Sequence, residues 1–96
     1  MRKFLAVGHH GPVDPRLGLR IAAEAVDWIT ARLADGTFDG LYSMAGGGRL
    51  IVANADSEEE LLALLRAAPD AEREWTFTEL FDGIEVIRKY VDSMRT

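Results

Sequence analysis

The sequence predicts an α+β domain of order β-α-β-β-α-β with a helical tail, a split βαβ arrangement. Its four strands make one antiparallel sheet that carries both long helices on one face. Three observations predict it. Apolar residues recur at steps of three and four in two long segments, they run together or alternate in four short ones, and Gly, Pro and Asp clusters fall between the two kinds. The 96 residues suit a single domain, 1–96, with no internal repeat, linker or low-complexity segment.

Residues 3–9, KFLAVGH, form an apolar run closed by Gly-Pro, the pattern of a buried strand. Asp14-Pro15 then offers a helix N-cap and first helical position, with a start after Gly18 as the alternative. Leu19, Ile21, Ala25, Trp28, Ile29 and Leu33 make one apolar helical face, which Asp35-Gly36 ends. FDGLYSMA and RLIVANA read as two strands joined through the glycines as a hairpin. Ser57-Glu-Glu-Glu60 is a capping box ahead of Leu61, Leu62, Leu64, Leu65 and Ala68, and Pro69 closes that helix. EWTFTELF, residues 74–81, alternates as a fourth strand with Trp75, Phe77, Glu79 and Phe81 on one side. After Asp82-Gly83, the spacing of Ile84, Ile87, Val91 and Met94 predicts a final helix.

A hydrophobic share of 48% beside 28% charged residues is that of a folded chain, because disordered chains lack the apolar mass to offset ordering entropy. The net charge of -5 repels a phosphate backbone and argues against nucleic acid as a partner. RLIVANA also lacks the stacking aromatics of an RNA-reading sheet. The absence of cysteine removes disulfides and thiol chemistry, and the short apolar run before Gly8 is too brief for a signal-peptide core or a membrane span, so a cytoplasmic protein is expected.

The triple glycine 46–48 turns the chain and does not bind phosphate. A phosphate loop leads into a helix whose N-terminus faces the anion, whereas these glycines lead into the strand that starts at Arg49.

From Gly36 to Gly83, about half the chain, the pattern resembles the second half of the muconolactone isomerase-like branch of the dimeric α+β barrel superfamily. The features that carry it are the Gly-ended helix, the pair FDGLYSMA and RLIVANA, the Ser-Glu-Glu-Glu-Leu-Leu helix start, the Ala-Ala-Pro close and EWTFTELF. The tail DGIEVIRKYVDSMRT is more similar to small uncharacterised proteins of the same superfamily. The resemblance implies a ferredoxin-like βαββαβ fold with a C-terminal helix. It also implies a homodimer with two sheets face to face, and a pocket between sheet and helices in each subunit. It does not carry the acidic residue of the isomerase's first helix: Ala25 takes that place, and Glu24 is rotated about 100° from it.

Several residues are candidates for chemistry. His9 and His10, adjacent on a strand, point to opposite faces and do not share a metal, so no metal site is expected. Either is a candidate general base, the alternative being a polar strand end. Glu79 shares parity with aromatic residues, so burial would raise its pKa into the range of an acid or base. The alternatives are an ion pair with Arg49 or another arginine across a dimer, or a bulge that turns it to water. Trp75 and Phe77, with Phe81, are either a stacking surface for a planar ligand or core. Tyr42 and Arg49 flank the hairpin, as contacts for a ligand carboxylate or as turn decoration.

The reading is a homodimer that binds a small apolar or cyclic metabolite and, as an enzyme, works without a cofactor by proton transfer in the manner of an isomerase or cyclase, with Glu79 and His9 or His10 as acid and base. The alternative is a non-catalytic ligand-binding or protein-interaction dimer.

Overall fold

β1 (Arg2–His10) lies inside a four-stranded sheet of order β2-β3-β1-β4, flanked by β3 (Arg49–Ala55) and β4 (Arg73–Leu80), with β2 (Phe38–Ser43) at the far edge. All three pairings are antiparallel. The helices are α1 (Pro15–Ala34), α2 (Glu58–Arg66) and α3 (Gly83–Met94). This computed structural model describes residues 1–10, 15–69 and 73–95. Asp14, expected as the cap of α1, lies outside the described residues, and the helix begins at Pro15.

Strand parity divides the sheet into two faces. Phe4, Ala6, Ile51, Ala53, Ala55 and Phe38 point to the helix side and form the core with Leu61 and Leu65 of α2. Trp28 of α1 meets Phe38 edge to face, ring centroids 5.8 Å apart. Lys3, Leu5, Val7, Leu50 and Val52 point the other way, and the apolar members are only half-buried. α1 comes closest to β2 and α2 to β3, and on the helix face β1, β2 and β3 all carry buried residues whereas those of β4 are only half-buried.

Local signals account for the boundaries. Met44 N–H donates to the Gly48 carbonyl at 3.1 Å across the hairpin, and Gly47 and Gly48 take φ of 92° and 98°, a region that suits glycine. Ser57 Oγ accepts from Glu60 N–H at 3.1 Å, while the Glu60 carboxylate reaches back to Asp56 N–H, one residue before the amide a capping box usually satisfies. Ser57→Ala is therefore expected to cost about 1 kcal/mol, read as a lower midpoint in urea with an unchanged slope.

Two expectations are corrected. Leu19 and Leu33, placed on the apolar face of α1, are 83% and 42% exposed, whereas Ile21, Ala25, Trp28 and Ile29 of that face are turned inward. Phe81, placed in the fourth strand, lies beyond its end and is 72% exposed. Asp82 there takes an extended conformation and caps α3, accepting from Glu85 N–H at 2.9 Å, which redirects the chain. The predicted stripe of Ile84, Ile87, Val91 and Met94 does form on α3, but none of that helix is buried.

Candidate functional site

The helix face of the sheet is ordered in rows. Ser43, Arg49, Gly8 and Trp75 stand side by side across the four strands, the next row is Leu41, Ile51, Ala6 and Phe77, and Ala53, Phe4 and Glu79 follow. Trp75 and Phe77, on the edge strand β4, are only half-buried. A half-covered strip of Trp75 and Phe77 thus runs along β4, beside the buried Phe4, Ala6 and Gly8 of β1.

Gly8 shapes its upper end. A Cβ on Gly8 would stand 2.7 to 2.9 Å from Cζ3, Cε3 and Cη2 of Trp75, so the six-membered ring of the indole lies directly on the glycine backbone. Trp75 Nε1 is on the opposite edge of the indole. It is buried and has no hydrogen-bond partner. Gly8 was not among the residues singled out from the sequence; a glycine inside an apolar strand, a known mark of close approach, is the signal that finds it.

Glu79 shares the aromatic face, as its parity predicts, but its carboxylate is bound at the lower end of the strip. Arg2 donates to it twice, Nη2 to Oε1 at 2.5 Å and Nε to Oε2 at 3.1 Å, and the guanidinium also stands 5.1 Å from the Phe4 ring centre. Arg2 is the diagonal neighbour of Glu79 across the β1–β4 ladder. Of the readings of Glu79, an ion pair holds, with Arg2 of the same chain, and a burial-driven rise in pKa does not: the Arg2 hydrogen bond, assisted by its charge, holds the Glu79 carboxyl below the usual carboxylate range. A lowered folded pKa stabilises the protein above the unfolded carboxyl's range, and that contribution is lost as pH falls through the folded value. Wild type is expected to exceed Arg2→Met in thermal midpoint at neutral pH, and the gap is expected to close on acidification below the carboxylate range.

The other candidates do not converge on Glu79. His9 is exposed on the open face, opposite Glu74, five residues along β1 from Phe4, which is about 17 Å in an extended strand. The side chain of His10 lies outside the described residues. Tyr42, 64% exposed, stands on the open face opposite Leu50, whereas Arg49 is on the helix face with an interaction of its own. Among the described residues no cluster of three or more His, Asp or Glu side chains is placed to hold a metal ion. No described helix is long and apolar enough to cross a membrane.

No protein-family model matches the chain, and no curated protein matches it. A crystal structure of muconolactone isomerase does match, with a TM-score of 0.70 at 21% identity, over 83% of this chain and 88% of that one. The chain has the muconolactone isomerase fold. Ala25 of α1 is buried. Glu24 is exposed on α1, paired with Arg20 at 3.2 Å. The likeness is one of fold; the polar groups on the strip of this chain are the Trp75 N–H at one end and the Arg2–Glu79 pair at the other.

Proposed function

We propose that the protein is a cytoplasmic homodimer that binds a small, largely apolar cyclic metabolite in the strip between sheet and helices. The observation that supports the binding site is the half-buried pair Trp75 and Phe77 on the helix face of the edge strand, with the Arg2–Glu79 pair at its lower end, the combination of apolar wall and few polar groups that marks small-molecule sites.

Surface area supports the dimer. The protomer exposes 7007 Å², whereas a compact monomer of this mass exposes about 5,500 Å². Its radius of gyration is 16.4 Å against about 12.5 Å for a compact chain of this length. The excess is larger than the roughly 800 Å² that one partner contributes to a standard interface. It coincides with the fully exposed α3 and with the open face of Leu5, Val7, Leu50 and Val52, whose rim holds the Lys3–Asp39 pair and Asn54. A second copy covering that face supplies what the single chain lacks.

In its catalytic form the reading is an isomerase- or cyclase-like proton transfer without cofactor. Glu79, held ionised by Arg2, suits the base and not the acid, and His9, on the face given to the second copy, does not reach a substrate in the strip. The non-catalytic binding dimer is favoured by one observation: within a protomer Glu79 and His9 are on opposite faces of the sheet.

Protein-observed NMR with a library of small ring compounds tests the site. Shifts are expected to cluster on Ala6, Gly8, Trp75 and Phe77. Shifts confined to the open face, or none at millimolar concentration, would overturn it. If turnover of any bound compound is found, Glu79→Gln is expected to abolish it with the fold intact, and an unchanged rate would remove Glu79 from the assignment.

A further inference from the structure

We infer that Arg2 is a latch that fastens the corner between β3 and α2 to the end of β4, and that the Glu79 carboxylate holds the first turn of α2 through it. All three guanidinium nitrogens are engaged. Nε and Nη2 donate to the two carboxylate oxygens of Glu79, and Nη1 donates to the Asp56 carbonyl at 3.3 Å. Asp56 lies between the end of β3 at Ala55 and Ser57, the N-cap of α2. One planar fork on β1 thus spans the last residues of β4 and the entry to α2, a task that suits the fixed donors of a guanidinium.

An exposed ion pair contributes little by itself, because water competes for both partners. What sets this pair apart is the segment joined to it. α2 has nine residues, too few to hold a helix without packing, and its buried anchors Leu61 and Leu65 come only after the three exposed residues Glu58, Glu59 and Glu60. The bonds of its first turn are local: Glu60 N–H to Ser57 Oγ, Leu61 N–H to the Ser57 carbonyl at 3.1 Å, and Asp56 N–H to the Glu60 carboxylate. They close the corner on itself, and Arg2 fastens it to β4. The guanidinium is held in place from two further sides, by the ring of the buried Phe4 and by the charge of Glu58 at the start of α2. Segments with few buried contacts open first, and this corner is one, so the fork sets how readily it opens. The latch needs no ligand in the strip.

Amide hydrogen exchange at neutral pH, read residue by residue by NMR, tests the latch. Glu79→Gln removes the charge on β4 and leaves every residue of α2 in place. It is expected to speed exchange of the Glu60 and Leu61 amides about threefold, the size of one exposed ion pair, while the Leu65 amide one turn further along keeps its rate. Arg2→Met is expected to speed the same two amides at least as much. On that background Glu79→Gln is expected to add nothing, the signature of groups that act through one another. Arg2→Lys keeps a positive charge beside Glu79 but lacks the fork, and is expected to leave Glu60 and Leu61 as fast as in Arg2→Met. Unchanged rates at Glu60 and Leu61 in Glu79→Gln would overturn the latch. So would an equal acceleration at Leu65, which marks a loss of stability across the whole fold, additive effects of the two substitutions, or an Arg2→Lys protein that exchanges as slowly as wild type.

Discussion

Val52→Asp is expected to convert the protein from a dimer of twice 10.6 kDa to a monomer of that mass, with the fold retained. Val52 is half-buried at the middle of the open face, paired with Leu5 of β1 on one side and Gly40 of β2 on the other. Within one protomer an aspartate there reaches water, so circular dichroism should be unchanged. In a face-to-face dimer each copy brings one carboxylate into a desolvated centre, at several kcal/mol per ion. Dissociation should therefore strengthen at least a hundredfold, about 2.7 kcal/mol. Leu19→Asp, on the exposed side of α1, is the control and is expected to leave the dimer intact. Sedimentation velocity at micromolar concentration reads both, and a Val52→Asp protein as dimeric as the wild type would place the interface elsewhere.

Gly8→Val is expected to destabilise the protein by about 1–3 kcal/mol and to displace Trp75. The new Cβ would fall 2.7 Å from a rigid ring atom, closer than side-chain contacts allow, so the indole must shift from its place on the Gly8 backbone. For a domain of this size the loss corresponds to roughly 4–8 °C in thermal midpoint per kcal/mol. The partner residue makes the cause checkable. On a Trp75→Ala background the ring is gone, and most of the Gly8→Val cost should disappear, a coupling expected only of residues in contact. Additive losses would show that Gly8 is needed for some other reason.

Much of the fold was legible because it rests on local chemistry. The 3-4 periodicity of α1 and the Ser57 box both act within one or two turns. The parity of β4 correctly set Trp75, Phe77 and Glu79 on one face. What was not legible depends on which strand neighbours which. Arg2 and Glu79 are 77 residues apart in sequence, and only the β1–β4 pairing makes Arg2 the counter-charge, so the sequence offered Arg49 or a partner's arginine instead and left the direction of the pKa shift open. The same pairing sets Trp75 on Gly8. Parity did hint that His9 and His10 diverge, but not that His9 would lie on the face away from Glu79. The exposure of Leu19 and of the α3 stripe was beyond reach for a related reason: periodicity shows that a helix has an apolar side, not that its own chain covers it.

The most direct measurement is a native mass spectrum of the untagged protein as purified, at low micromolar concentration. The account predicts a dimer, each subunit contributing 10.6 kDa, with a reproducible added mass of a small molecule that is lost or reduced in Trp75→Phe. A monomer would contradict the dimer, and a dimer with no added mass under any purification condition would contradict a ligand-binding strip.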